Sequence, residues 1–536
     1  MAVITGTRPV TEKPSATPRK ASPLLWVLGC VAVLPAAIPI VYLLWTVLRP
    51  GGFDAGGFSA ERLLELSGAT ALLTVTVTAA SATLGLATAW ITTRTNISGA
   101  GIWSTLVTVP LVIPSYVGAM TMLAASGNNG MISQFLVAIG LPALPVFKGF
   151  WAAWAALTLW NFSFVHLLTV PVLRRLDPAL EEASRGLGAS RWRTMRTIVL
   201  PQLRPVLAAS SLLVALYVLS EFGAISMLRY ETFTRAIYTQ FGGRLDPTPA
   251  LFLAGLLVLA ALFIVLFQQR ASGKATLYGN RPIRPVTPIE LSRKGRFGAQ
   301  LFLGSVVTLA LILPMVTLAW WTIRGMMLGN SPLSVLPHAL RSMSLALVAS
   351  IVIVVAAIPV AVLVSRFPSR RTRSLESVAW LTYSLPHLAI GLAFLVLAIR
   401  IARPIYQTLF ILVIAYLAMF LPQALASVGS GLRRVGPNLE DASRSLGVGR
   451  WATMRRITIP LVRRSVLAAG ALVFLSVMKE LPATLLLRPT EFDTLPIRIW
   501  SATSELFYTQ ASFAALALIA ISAVPVYFFV ARELHE

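Results

Sequence analysis

Stretches of about 20 mostly apolar residues recur along this chain, and they restrict its fold more than any other feature. Hydrocarbon offers no water to an exposed backbone N–H or C=O, so a segment of this length must satisfy its own groups as a helix. Twelve runs read as membrane spans: Leu24 to Val47, Ala69 to Ile91, Ile102 to Ala125, Phe150 to Val170, Val206 to Met227, Ala250 to Phe267, Leu301 to Thr322, Ser342 to Val364, Ser377 to Ile399, Ile405 to Ala426, Val466 to Leu487 and Phe513 to Val530. The apolar run Met131 to Val146 is short and broken by Pro142 and Pro145, and reads as a re-entrant or interfacial segment. With 56% hydrophobic and only 12% charged residues, the chain is expected to be an all-α integral membrane protein.

A net charge of +25 would fit a nucleic-acid partner, so the placement of the charge decides its meaning. With a cytoplasmic N-terminus, the dense clusters between Arg174 and Arg204, Arg270 and Arg296, Arg366 and Arg373, and Arg433 and Arg464 all fall on the cytoplasmic side. That pattern predicts both termini inside a bacterial cytoplasmic membrane and explains the charge without nucleic acid. The single cysteine, Cys30, excludes a disulfide framework, and the histidines (His166, His338, His387, His535) are too scattered for metal-ligand spacing. Residues 1–23 read as a disordered cytoplasmic tail with no cleavable signal peptide. Residues 271–298, rich in Arg, Lys and Pro, read as a cytoplasmic linker between a first six-span repeat, 24–270, and a second, 299–536.

That division rests on an internal repeat at an offset of 259 residues. Leu173-Arg174-Arg175, Pro178, Leu180-Glu181, Ala183-Ser184-Arg185, Leu187-Gly188, Arg191-Trp192, Thr194-Met195-Arg196, Ile198 and Pro201 recur as Leu432-Arg433-Arg434, Pro437, Leu439-Glu440, Ala442-Ser443-Arg444, Leu446-Gly447, Arg450-Trp451, Thr453-Met454-Arg455, Ile457 and Pro460. Each copy lies between the fourth and fifth spans of its half. Pro178 and Pro437 suit a first helical turn, and Gly188 and Gly447 a left-handed C-terminal cap. Ser190 is placed to cap a second helix, with Trp192, Met195 and Ile198 on one face, that Pro201 interrupts near the membrane. The prediction is a helix–turn–helix elbow presented twice on one side, suited to a two-fold symmetric partner. Leu180, Ala183 and Leu187 would enter a hydrophobic groove, with Glu181 and Glu182, or Glu440 and Asp441, pairing with arginines at its rim. An amphipathic helix lying in the interface is the plainer reading of either copy taken alone.

Glu182-Ala183-Ser184, Gly188 and Ile198-Val199-Leu200-Pro201, repeated as Asp441-Ala442-Ser443, Gly447 and Ile457-Thr458-Ile459-Pro460, resemble the EAA loop of permeases from binding-protein-dependent ABC importers. The second copy departs in carrying Asp441 where that family usually has Glu. The resemblance implies a type I ABC importer permease fold and makes each elbow a coupling helix seated in a nucleotide-binding subunit, formed around Glu181, Glu182, Ala183, Ser184 and Gly188, and Glu440, Asp441, Ala442, Ser443 and Gly447. Lys479-Glu480-Leu481-Pro482-Ala483-Thr484-Leu485-Leu486-Leu487-Arg488-Pro489 and Ser220-Glu221-Phe222-Gly223-Ala224-Ile225-Ser226 are similar to the ferric-iron branch, whose two halves are commonly fused. Thiamine, putrescine, phosphonate and sulfate permeases share related architectures, so those substrates stay open.

Glu221 and Glu480, also 259 apart, fall in the fifth span of each half. Ionisable groups at membrane depth normally face protein or a watery cavity. Two facing carboxylates would suit a hard cation such as Fe(III); the alternative is that Glu480 pairs with Lys479 or an arginine and both acids serve helix packing or a gate. Pro110, Pro114 and Pro386 interrupt the third spans, where a cavity is lined or a gate bends, and His387 next to Pro386 either lines that cavity or bonds helix to helix. Asn161, Ser163 and His166 carry the same two readings.

Gly273-Lys274 lacks the spacing of a phosphate-binding loop, and the loops are too short for a capture domain. The chain is therefore expected to be a transport subunit without catalytic residues, metal site or bound cofactor of its own. ATP and Mg would belong to separate ATPase subunits, two copies of them, and capture to a periplasmic or lipid-anchored substrate-binding protein. An ion-gradient-driven secondary transporter, and a membrane scaffold or channel, are the rival classes.

Overall fold

In the computed structural model, residues 21–49, 51, 57–243, 246–271 and 288–533 are described. The sequence-predicted tail lies almost wholly outside them, as do residues 272–287 of the linker. Among the described residues, ten helices are long and apolar enough to cross a membrane, or twelve if each of two bent pairs is one span. In the first half these are Pro23–Leu48, Ala60–Arg94, the pair Ala100–Val112 with Ser115–Ala125, Phe150–Arg174, Arg191–Ser220 and Thr248–Leu266. In the second they are Arg293–Met327, Pro332–Arg366, the pair Arg370–Tyr383 with His387–Ile401, Leu409–Gly436, Trp451–Met478 and Tyr508–Pro525. The run after the third span holds only the short helix Met131–Ala138, which the extended chain behind it doubles back upon through Leu144 N–H to Ser133 Oγ, 3.0 Å.

In each half the second, fourth and fifth spans pack against one another as a three-helix core. Gly85 shows how close the first of these cores is: a β-carbon there would sit 2.5 Å from Val165 Cβ and 2.7 Å from the Phe162 carbonyl, so only glycine admits the approach of the second and fourth spans. The first span of each half leaves its own core. Pro23–Leu48 packs on the second, third and fourth spans of the other half, and Arg293–Met327 on the third span of the first. Trp321 Nε1 donates to the Ala124 carbonyl across that boundary, 2.9 Å. One apolar core consequently runs through both halves.

Two expectations change. Pro201 does not interrupt its helix, nor does Pro460. A π-turn over Met195–Val199, and another over Met454–Thr458, precedes each proline, and the widened turn gives the pyrrolidine ring room that a regular α-turn would deny it. The fifth spans end earlier than their apolar runs, at Ser220 and Met478, and short helices Gly223–Met227 and Pro482–Leu487 follow. Glu221 and Glu480 therefore stand in the breaks, not inside the spans. Within the stretch read as the linker, Ile289 N–H donates to the Arg94 carbonyl (2.8 Å), Asn96 N–H donates to the Ile289 carbonyl (3.2 Å), and a helix starts at Arg293.

Candidate functional site: paired elbows and paired buried acids

Each elbow is shaped by its own caps. Asp177 Oδ1 accepts from Ala179 N–H at 2.9 Å, Pro178 opens the helix Pro178–Gly186, and Gly188 reverses the chain at φ +83°. Ser190 then caps the next turn through Arg193 N–H, 3.3 Å. In the second copy the fourth span and the elbow helix form one run, Leu409–Ser445, divided at Gly436 (φ 59°, ψ 148°), and Gly447 takes φ +80°. A hydroxyl pair closes each elbow: Ser184 with Thr194 at 3.0 Å, and Ser443 with Thr453 at 2.9 Å. These serines hold the two arms of the elbow together.

The acids divide differently from the sequence expectation. Glu181 and Glu440 are not rim carboxylates. Glu181 turns inward to Arg94, the last residue of the second span, whose side chain is 3% exposed. Glu440 turns to Arg366, the last residue of the second span in its own half, at 2.8 Å, and also accepts from Thr458 Oγ1 at 3.1 Å. A carboxylate one helical turn into the elbow falls beside the adjacent span end, and burial there demands a cationic partner. Glu182 alone of the first pair is left exposed. Among the charged groups of the elbows' outward surface stand large apolar side chains, Leu180, Leu187 (90% exposed) and Trp192, matched by Leu439, Leu446 (84%) and Trp451.

At the bends of the third spans a second paired arrangement appears. The two pieces of the third span meet at 92° in the first half and 104° in the second, with Pro114 and Pro386 as the N-caps of the second pieces. The next residue reaches the acid at the end of the fifth span: Ser115 Oγ donates to Glu221 Oε2 at 2.7 Å, and His387 Nδ1 lies 2.7 Å from Glu480 Oε2. The other carboxylate oxygens cap the short helices, accepting from Ala224 N–H (2.9 Å) and Ala483 N–H (3.0 Å). That dual role explains the breaks, because a carboxylate can cap a helix only from outside it. Tyr116 lies within electrostatic reach of both acids, and Gly223 packs between Tyr116 and Leu481. Lys479 does not pair with Glu480; its Nζ donates to the Leu111 carbonyl at the opposite bend, 3.1 Å.

Pro114, Glu221, Pro386, His387, Lys479 and Glu480 are thus gathered where the halves meet. Asn161, Ser163 and His166 are not among them. They bond within the first half, Asn161 to the Leu157 carbonyl, Ser163 to the Val107 carbonyl, and His166 to Ser104 and Thr88. Arg94 and Arg366 are the functional candidates that sequence reasoning missed, along with Ser115 and Tyr217, which lies 3.1 Å from Ser115 Oγ. Their signal was faint: Arg94 and Arg366 are 272 residues apart, as are Ser115 and His387, a different offset from the 259 of the elbows. The extra chain lies in the first half, between the third span and Phe150, where Met131–Ala138 is inserted.

Two six-span halves, each carrying an elbow behind its fourth span, define a permease of the type I ABC importer fold, all-α among the described residues apart from an isolated bridge between Thr95 and Ile289. Residues 81–276 and again 353–532 match the binding-protein-dependent transport system inner membrane component, and the chain belongs to that family. It is 31% identical over 519 residues, 95% of this chain and 98% of the other, to the Fe(3+)-transport system permease protein FbpB 2 of Haemophilus influenzae. It is 25% identical to the same organism's putative ferric transport system permease protein FbpB 1, over 78% of this chain and 69% of the other. A shorter match, 35% identical over 141 residues, covers 26% of this chain and half of the sulfate transport system permease protein CysT of Salmonella typhimurium. The protein is accordingly a multi-pass membrane permease subunit, which sets aside the ion-gradient carrier and the scaffold.

Proposed function

We propose that this chain forms the translocation pathway of a ferric-iron importer, driven by two copies of a separate ATPase subunit and fed by a substrate-binding protein on the opposite face. The carrying observation is the near-full-length similarity to a permease named for Fe(3+) transport, joined to two elbows built alike that expose the same leucines and tryptophan. On this reading the elbow face is cytoplasmic, both termini lie inside, and Leu180, Leu187, Trp192 and their counterparts enter grooves of the ATPase dimer. Closure of that dimer draws the elbows together. The half-buried pairs Arg94–Glu181 and Arg366–Glu440 pass the displacement to the second spans, and the bends at Pro114 and Pro386 open the pathway on the other side. ATP and Mg act on the partner alone. The chain itself supplies no catalytic group; Glu221, Glu480, Lys479 and His387 hold the gate where cargo crosses.

The test is reconstitution of the chain with its ATPase and binding protein in proteoliposomes. The expected result is ATP-dependent uptake of radiolabelled Fe(III), with no uptake of thiamine, putrescine, phosphonate or sulfate. Accumulation of iron by the chain alone, without nucleotide, would sink the coupling scheme, and uptake of one of the other solutes in place of iron would sink the substrate.

A further inference from the structure

The end of the bundle away from the elbows holds a cavity of about 430 Å³ that the gate acids do not enter. Its walls come from both halves: Lys148 just before the fourth span, Ser226, Arg229 and Arg235 behind the fifth, and Trp500 and Tyr508 from the second half. All three charged lining residues are cations. Arg235 has Glu231 no nearer than 3.9 Å, and Lys148 and Arg229 have no ion pair among the described residues. Like charges drawn into one concavity repel one another and focus a positive potential that an anion would relieve.

A further observation marks the cavity as built rather than incidental. Of the four non-glycine residues with positive φ among the described residues, two line it, Arg229 at +57° and Leu506 at +64°. Left-handed backbone is unfavourable for both side chains and tends to persist where a site depends on it. The opening is of a size that suits a small polar ligand.

We infer that this cavity binds an oxyanion, with Lys148 and Arg229 as the charge partners. Resting on the reading of the chain as a ferric importer, the inference implies that cargo arrives as an anionic oxygen-ligand complex, because bare Fe(III) would be repelled by these cations. The shared chemistry admits two sources, a free oxyanion such as phosphate or a ferric complex of a hydroxycarboxylate such as citrate.

The experiment is equilibrium dialysis of the purified full-length chain in nanodiscs against radiolabelled inorganic phosphate and, separately, Fe(III)-citrate. One saturable site is expected, weakened at least tenfold by Lys148→Gln and by Arg229→Gly and unchanged by Lys294→Gln, a lysine remote from this cavity. Arg229→Gly relieves the left-handed backbone while removing the charge, so lost binding in that variant is not lost folding. Tighter binding of phosphate identifies a free oxyanion, and tighter binding of Fe(III)-citrate a ferric complex. Absence of saturable binding to either probe, or binding indifferent to both cavity variants, overturns the inference. Oxyanion binding in a chain whose reconstituted importer moves no iron would leave the cavity assigned and remove the ferric reading, whereas iron uptake without oxyanion binding would do the reverse.

Discussion

At their elbows the two halves repeat one another down to individual hydrogen bonds, with an inward glutamate on a span-end arginine, a serine–threonine clasp, a left-handed glycine and an exposed leucine–tryptophan surface. At their buried acids they repeat only in part. Both carboxylates cap a short helix, yet one faces Ser115 and Tyr217 while the other faces His387, and only the second half sends a lysine across the boundary. The difference teaches where symmetry is required. On the function proposed above, a surface that meets two identical partner subunits must be the same twice, whereas a single pathway between the halves is lined once and is free to differ.

The largest effect is expected at the span-end arginines. Arg94→Ala leaves Glu181 buried without its cation, a loss of about 3–5 kcal/mol for such pairs, and should abolish ATPase stimulation by the binding protein. Arg366→Ala should be milder, since Glu440 keeps its bond from Thr458 and its pair is 14% exposed on both sides. Equal thermal melting losses for the two variants would contradict that ranking, and unaffected stimulation in both would remove the arginines from the coupling path.

Next come Gly188→Val and Gly447→Val. A β-branched residue at φ near +80° is disfavoured by roughly 1–2 kcal/mol, and open space around both glycines means that backbone conformation alone carries the effect. We expect about tenfold loss of uptake from either variant, with the same loss in both halves. Unequal losses would show that the elbows are not used alike.

A smaller and deliberately unequal pair sharpens the other side of the comparison. Glu221→Gln keeps an acceptor for Ala224 N–H and offers Ser115 a hydroxyl-compatible amide. Glu480→Gln gives up a charged partner of His387, and hydrogen bonds to charged groups exceed neutral ones by about 1 kcal/mol. Fe(III) uptake should fall several-fold more in Glu480→Gln than in Glu221→Gln. Unchanged uptake in Glu480→Gln would take that residue out of the pathway.

How much of this was visible in the chain follows from the range of the forces involved. Elbow caps are local, so Pro178, Gly188 and Ser190 announced themselves by spacing, and the repeat doubled the signal. Membrane helices were visible because hydrocarbon admits little else. The inward turn of Glu181 was not visible, because it depends on Arg94, 87 residues earlier, and a carboxylate in a polar helix looks solvated until its neighbour is known. The early ends of the fifth spans were hidden for a similar reason: Leu481 to Leu487 is apolar and continues the run, and only the capping bond from Ala483 to Glu480 shows why the helix stops. Packing of each first span on the opposite half has no periodic signature at all.

The smallest effect is expected at Lys479. Its side chain is half-buried, and its one hydrogen bond among the described residues goes to the Leu111 carbonyl in the turn Val109–Val112 that forms the first-half bend. Lys479→Met keeps the length and the apolar stem while removing both the cost of burying a charge and that single bond, terms that largely offset. Melting temperature should therefore hardly move. The bond is nonetheless the tie between the end of one fifth span and the bend of the opposite third span, a link with no counterpart from the first half, where Ser220 occupies the equivalent position. Releasing it frees one bend and not the other, so ATPase activity without binding protein should rise by about twofold while stimulated uptake holds. A basal rate unchanged by Lys479→Met would mean that the asymmetry at the acids is a matter of packing and has no part in gating.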